Sequence, residues 1–449
     1  RTDKYGGSIE NRARFPLMVI DRIRKAVGPN FPIEIRISGD EFMEGGYGIE
    51  DAIEFAKMLD GKVDLIHVSA TSFRDVNSGC RMFPSAFLPH GVNVYLAEAI
   101  KKHVKTPIAT VGALSDPAEM EDIIASGKAD VIYVGRQILA DPEFPNKAKA
   151  GRFDEVRPCV RCNHCLSLDF VPYVDMCSGI SQCVVNPEVG RDLKEGMYQP
   201  KPQPKKVLVI GGGPGGMQAA LKAEEQGHEV ILVEKADRLG GMLNVAVHDV
   251  SFKEDLGSYL QYLIRMVERK AIQVRLNTTA TPELIREIAP DTVVCAVGAE
   301  PIIPRIPGVD RENVVKVTQL RDPDLKFGEK VVVIGGGLVG CEEGLALAME
   351  GKDVTVLEMQ DKLAPDAPIL HLKAMMLEYE KRTENLHPYT EVTVTSIEDD
   401  GVHAKDKDGK EVIYPADTVL LSVGMRSKID EVEKLRTNDA EFITVGDCI

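Results

Sequence analysis

Val207-Leu-Val-Ile-Gly211-Gly-Gly213-Pro-Gly-Gly216 passes straight from an apolar run into a glycine turn, and Val331-Val-Val-Ile-Gly335-Gly-Gly337-Leu-Val-Gly340 repeats the pattern. Each reads as a buried parallel strand, a tight turn and the start of a helix. A helix over 217–227 and a strand Glu229-Val-Ile-Leu-Val233 follow the first, ending at Glu234. A helix to Gly351 and a strand Asp353-Val-Thr-Val-Leu357 follow the second, ending at Glu358. The glycines let the backbone approach a pyrophosphate at the helix N-terminus, and the acid suits a ribose 2′-hydroxyl. Gly211, Gly213, Gly216 and Glu234 are therefore expected to form one dinucleotide site, and Gly335, Gly337, Gly340 and Glu358 a second. A carboxylate at 358 repels a 2′-phosphate, so the second site is expected to take NADH ahead of NADPH.

Upstream lies Cys159-Val-Arg-Cys162-Asn-His-Cys165, followed by Cys183-Val-Val-Asn-Pro187. Three thiolates on one short turn plus a distant fourth suit a [4Fe–4S] cluster. Spacing alone also admits zinc, with His164 able to join. For the fourth ligand, Cys183 is chosen and Cys177 is the alternative. The remaining cysteines, Cys80, Cys295, Cys341 and Cys448, read as inert buried thiols. Nine cysteines, four of them clustered, fit a reducing cytoplasmic setting and not a disulfide framework.

The first 150 residues alternate strand-sized apolar runs with helical patterns. Strands are expected at Ile33–Ser38, Val63–Ser69, Pro107–Val111 and Asp130–Val134, and helices at Ile9–Val27, Asp51–Leu59, Val94–Val104 and Pro117–Ala125. Such repeats mean a parallel sheet, either half of a (β/α)₈ barrel or a small Rossmann-type sheet. His67, mid-strand, reads as a packed core histidine. The loop from Ser69 to Pro89 carries Arg74, Asp75 and Arg81, with His90 nearby, and is expected to roof a substrate pocket. Tyr198-Gln-Pro-Lys-Pro-Gln-Pro204 reads as an extended linker. The 449 residues carry a net charge of −16, which argues against sequence-independent nucleic-acid binding. No run of about 18 apolar residues predicts a membrane-spanning helix.

Residues 205–449 resemble the glutathione-reductase-type flavoproteins with two dinucleotide sites. The matching pieces are Leu239-Gly-Gly241-Met242 after the first acid, Val294-Cys-Ala-Val-Gly298 with Pro301, and Thr444-Val-Gly-Asp447. The resemblance implies FAD in the first site, with Gly241 beside it and Asp447 at its ribitol, and NADH in the second. The Cys-x-x-x-x-Cys pair of disulfide reductases is absent from the sequence, so electrons need another exit. The cysteine cluster supplies one, and zinc becomes the weaker reading.

The N-terminal part resembles old yellow enzyme-type FMN barrels in Arg1-Thr-Asp-Lys-Tyr-Gly-Gly-Ser-Ile-Glu-Asn-Arg12 and in Val134-Gly-Arg-Gln-Ile-Leu-Ala-Asp-Pro142. The whole order is similar to the family of 2,4-dienoyl-CoA reductase, 2-enoate reductase, bile-acid enone oxidoreductases and trimethylamine dehydrogenase. That likeness implies an α/β protein: a C-terminal half of an FMN-binding TIM barrel over 1–154, a 4Fe–4S segment over 155–190 and a linker over 191–204. An FAD domain over 205–325, an NAD(P)H domain over 326–420 and a return to the FAD domain over 421–449 complete it. The chain opens without Met and stops just past a strand, so both ends are expected to be truncations. The catalytic residues are then expected in a barrel half before Arg1.

Carried over by position, Arg36 matches the arginine near flavin N1, while Gly112, Gly135 and Arg136 match the phosphate-binding loops of the FMN site. Ser78-Gly-Cys-Arg81 departs from the dienoyl-CoA reductase pattern, which puts thioester substrates in doubt and leaves Arg81 as a candidate for a substrate carboxylate. The activity implied is NADH-dependent reduction of an activated C=C bond in an enoate or enone, with electrons passing from NADH through FAD and the cluster to FMN. The alternatives are an amine dehydrogenase passing electrons to a partner flavoprotein, and a 2,4-dienoyl-CoA reductase. A homo-oligomer is compatible with either; no nucleic acid or membrane partner is expected.

Overall fold

The computed structural model describes residues 2–72, 75–166, 182–189, 203–320, 322 and 324–449. Arg74, Cys177 and most of the Tyr198–Pro204 linker lie outside the described residues. The chain divides into two compact units, Arg1–Gly190 with Pro368–Ala374, and Arg191–Ala367 with Met375–Ile449. The barrel-like region and the cysteine segment thus share one unit, and both nucleotide folds share the other.

In the first unit, strands β1 (Glu34–Ser38), β2 (Leu65–Ser69), β3 (Ile108–Val111) and β4 (Val131–Tyr133) form a parallel sheet in that order. Helices Ile9–Val27, Ile49–Leu59, Val94–Lys101 and Pro117–Ala125 precede or connect them. Asp116 caps the last of these, accepting from the Ala118 N–H at 2.9 Å, with Pro117 in the first turn. Ala52, Ala56, Leu59, Ile66, Leu96, Ile100 and Ile108 form a dry core between sheet and helices. The opposite side carries polar groups, a consequence of the two-residue alternation in Glu34-Ile-Arg36-Ile-Ser38. There Arg36 Nη2 donates to Ser69 Oγ at 2.8 Å. His67, buried, stacks on Tyr133 with ring centroids 4.2 Å apart, and its Nδ1 lies 3.2 Å from Glu34 Oε1.

In the second unit the strands begin with β5 (Lys206–Ile210), β6 (Glu229–Val233), β7 (Ile272–Arg275), β8 (Thr292–Cys295), β9 (Ala299–Pro301) and β10 (Val314–Lys316). Then come β11 (Lys330–Ile334), β12 (Asp353–Leu357), β13 (Leu386–Tyr389), β14 (Thr393–Glu398), β15 (Gly401–Lys405) and β16 (Glu411–Tyr414). The last are β17 (Thr418–Leu421), β18 (Met425–Ser427) and β19 (Glu441–Thr444). Two five-stranded parallel sheets result, β19-β8-β5-β6-β7 and β10-β17-β11-β12-β13. The fingerprint strand is central in both, and four strands correspond in order (β8-β5-β6-β7 and β17-β11-β12-β13). The outer strand comes from the end of the unit in the first sheet and from before the fingerprint in the second. An antiparallel meander β14-β15-β16 and a pair β18-β9 complete the unit.

Both fingerprint helices, Pro214–Glu225 and Leu338–Met349, start immediately after the second glycine of the motif. The first therefore begins three residues before the expected Met217, because Pro214 sits comfortably in a first turn. A Cβ on Gly216 would lie 1.8 Å from Gly211 O, and one on Gly340 would lie 1.9 Å from Gly335 O. No side chain fits where helix and strand approach so closely.

A buried charge network joins the two folds of this unit. Lys253 Nζ pairs with Glu342 and lies 3.7 Å from Glu343 Oε1, and His248 Nε2 lies 3.2 Å from Glu343 Oε2. Gly216→Ala is expected to destabilise the protein by about 3 kcal/mol, since backbone must move to admit a methyl. Lys253→Met, which strands buried carboxylates, is expected to cost about 3–5 kcal/mol. Denaturant unfolding checks both, and an unchanged midpoint in either variant contradicts the packing described.

Candidate functional site

A cavity of about 280 Å³ lies at the C-terminal end of the β1–β4 sheet. Its walls include Arg36, Gly112, Tyr133, Gly135, Arg136 and Cys159. All four residues expected to hold FMN are thus brought together. Gly112 has φ of 129°, and a Cβ there would meet Asn93 Nδ2 at 2.9 Å, so glycine is required. Arg81 is not among the lining residues. Its guanidinium sits over the Phe42 ring, 4.4 Å from the centroid.

Cys159, Cys162, Cys165 and Cys183 surround one small neighbouring cavity with Arg136 and Asn163. Burial raises Cys159 and Cys165 to about 11 and moves Cys162 upward. The Arg136 guanidinium and the Arg161 backbone N–H oppose that shift at Cys159, and the His164 backbone N–H opposes it at Cys162. Thiols placed this way need a compensating cation to be held as thiolates. Four sulfur donors with N–H groups and a guanidinium aimed at them fit a thiolate-bound cluster. His164 is exposed and does not line the cavity, so it offers no ligand there.

Residues beyond the cysteines shape this cradle. Arg161 and Asn163 are buried with φ of 49° and 62°, which folds the Cys-x-x-Cys-x-x-Cys loop around its interior. Arg161 Nη1 donates to Ser85 O and Leu88 O, and Asn163 Nδ2 donates to Phe83 O at 2.9 Å. The loop after β2 is thereby tied to the cysteine loop. Gln137 Oε1 accepts from the Cys159 N–H at 2.9 Å. Asp141 takes the Arg157 N–H at 2.9 Å and Lys147 Nζ at 2.7 Å, which accounts for the acid in Leu-Ala-Asp-Pro142. Asn186, buried, donates to Leu139 O at 2.8 Å and so anchors the Cys-x-x-Asn-Pro segment beside the other three cysteines. Sequence reading noticed Asn186 only as context and missed Arg161, Asn163 and Gln137. Asn163 alone carried a signal, since Asn is enriched in the left-handed region.

In the second unit the two acids are held alike. Glu234 accepts from the Gly212 N–H at 2.6 Å and the Ala236 N–H at 2.8 Å, and Glu358 from the Gly336 N–H at 2.7 Å and the Gln360 N–H at 2.8 Å. Each carboxylate is fixed at the end of its strand, with lone pairs left for a ribose hydroxyl. Gly241 packs on the first fingerprint, since a Cβ there would lie 2.8 Å from Gly213 Cα. Asp447 is exposed on the one-turn helix Gly446–Cys448, with Gly446 close to Gly215 at the fingerprint helix. Cys341 is buried, pushed up to about 12 by burial, and donates to Gly336 O, as an inert packing thiol does. Among the described residues no helix is long and apolar enough to cross a membrane.

Comparison with known proteins agrees with this layout. Residues 1–155 match the NADH:flavin oxidoreductase / NADH oxidase family, and residues 205–447 match the pyridine nucleotide-disulphide oxidoreductases. An NADH oxidase of Thermoanaerobacter brockii is 41% identical over 454 residues, which cover 100% of this chain and 68% of the relative. A cinnamate reductase of Clostridium sporogenes is 34% identical over 470 residues, again 100% of this chain and 68% of the relative. The structure of a 2-naphthoyl-CoA reductase superposes with a TM-score of 0.91 at 34% identity, over 100% of this chain and 67% of that one. The chain is an oxidoreductase belonging to the NADH:flavin oxidoreductase / NADH oxidase family, with a pyridine nucleotide-disulphide oxidoreductase module in the same polypeptide.

Proposed function

We propose that the chain belongs to an NADH-dependent ene-reductase acting on an enoate or enone. The observation that carries this reading is a shared wall: Arg136 and Cys159 line both the four-cysteine cavity and the cavity of Arg36, Gly112 and Gly135. Such a wall suits single-electron passage between a cluster and a flavin, and a two-dinucleotide module on the same chain suits NADH oxidation. The names of the cinnamate and 2-naphthoyl-CoA reductases support the choice of C=C substrates.

Under this reading Cys159, Cys162, Cys165 and Cys183 ligate [4Fe–4S]. Arg36, Gly112, Gly135 and Arg136 form the FMN site. Gly211, Gly213, Gly216, Glu234, Gly241 and Asp447 receive FAD, and Gly335, Gly337, Gly340 and Glu358 receive NADH. When bound, these groups supply hydride and one-electron transfer. The chain's own contribution is placement. Arg36, fixed by Ser69, puts a cation at its cavity, and Glu234 and Glu358 present ribose acceptors locked by backbone N–H groups. Asn186 sets Cys183 against the other thiols.

Anaerobic titration of the holoenzyme with NADH is expected to bleach flavin and cluster absorbance, and added cinnamate to restore it. No reduction by NADH, or no reoxidation by cinnamate or an enone, overturns the reading. Glu358→Arg is expected to move the kcat/KM ratio at least about tenfold towards NADPH, roughly 1.4 kcal/mol; an unmoved ratio removes Glu358 from the coenzyme site. Cys183→Ala is expected to lose iron and Cys177→Ala to keep it, and the reverse result in an iron assay reassigns the fourth ligand.

A further inference from the structure

Arg136 is the first residue of the short helix Arg136–Ala140, directly after β4, where position in the family pattern gives it to the FMN phosphate. Its side chain is also tied to the cysteine side. Nη2 donates to Pro84 O at 2.9 Å, and Nη1 donates to Asn163 Oδ1. Both acceptors are neutral, and Asn163 belongs to the cysteine loop itself. Among the described residues no carboxylate forms an ion pair with Arg136. The ionisable groups that share its cavity wall are the four thiols of Cys159, Cys162, Cys165 and Cys183. The neighbouring Arg161 spends its Nη1 on Ser85 O and Leu88 O. Arg136 therefore stands on the wall between two cavities, tied through Nη1 to the cysteine loop.

We propose that Arg136 is the counter-cation of the cluster and sets its reduction potential, so that the cluster can be reduced and pass its electron on at the flavin wall. The inference rests on the cluster reading above. On reduction, a thiolate-bound cluster gains one further negative charge in a poorly hydrated site, and a fixed cation beside the sulfurs favours that state. The hydrogen bonds to Pro84 and Asn163 are what fix it: a planar fork held at two ends cannot swing away from the cysteine loop without giving up both. Arg136 is in this sense a positioning residue acting through the cluster.

The test is an EPR-monitored redox titration of the holoenzyme, alongside iron, sulfide and FMN content. Arg136→Met is expected to make cluster reduction at least about tenfold less favourable, which for one electron is about 59 mV more negative. Arg136→Lys, which keeps the charge, is expected to stay within about threefold of the unaltered protein. Full iron and sulfide in Arg136→Met with an unmoved potential overturns the proposal, as does loss of FMN alone, which would return the side chain to the phosphate. An equal shift in Arg136→Lys overturns it too, because charge would not be the lever. Should Arg136→Met come without iron, Arg136→Lys decides. Retained iron with a potential within about threefold supports the proposal, and lost iron or a tenfold shift overturns it. Absence of iron and sulfide from the unaltered protein is a separate result and overturns the cluster reading instead.

Discussion

At the cysteine cradle several thiols are taken out of water side by side, and burial, with the neighbouring cysteines adding to it, drives Cys159 and Cys165 to about 11. Negative charge can be held there only if the protein supplies positive partners in advance. Much of the local structure answers that demand. The loop takes left-handed turns at Arg161 and Asn163, and backbone N–H groups reach Cys159 and Cys162. Gln137, one residue beyond Arg136, fixes the Cys159 backbone from the helix after β4. The barrel-like sheet and the cysteine segment fall in one compact unit because the cradle is built from both.

The same constraint, in milder form, shapes the nucleotide folds. Glu234 and Glu358 are both buried carboxylates, and each is met by two backbone N–H groups at matching positions. The repeat extends past the acid, where Gly240 N–H reaches Gly212 O and Ala364 N–H reaches Gly336 O, both at 2.8 Å. There the copies part. The first uses Gly240 and Gly241, which allows Gly241 to rest on Gly213, while the second turns through Ala364 at φ of 41°. Sequence duplication is thus visible as duplicated hydrogen bonding, and the divergence sits in the residues that close over the glycine turn.

Local features were legible in the sequence. Strands such as Val331–Ile334 and helices such as Pro117–Ala125 carry their own periodicity and caps, and the glycine motifs announce a geometry that no side chain tolerates. The three close cysteines were equally plain. Long-range choices were not. Spacing could not bring Cys183 beside the other three, because the bond that places it runs from Asn186 to Leu139 O across 47 residues. Nor could it tell that Arg136 is tied to the cysteine loop, since its partner Asn163 lies 27 residues further on. Arg81 reads as a free loop cation until the fold sets it over Phe42.

Strain in the first unit is gathered at the sheet end that carries the cavity. Phe42, Thr71 and Ala113 follow β1, β2 and β3 with φ of 51°, 71° and 54°. For a β-branched residue such as Thr71 this is a genuine outlier, and each position of this kind costs about 1–3 kcal/mol. The turns are held by their own bonds: Ser38 Oγ donates to Thr71 O at 2.6 Å, the Thr71 N–H to Asp40 O at 2.8 Å and the Phe42 N–H to Asp40 Oδ1 at 2.6 Å. Asp40 thereby couples two strained loops. Such conformations persist only over a floor that does not yield, and the dry cluster of Ala52, Ala56, Leu59, Ile66 and Ile108 beneath them is that floor. Apolar packing on one face of the sheet is what permits strained, polar chemistry at its end.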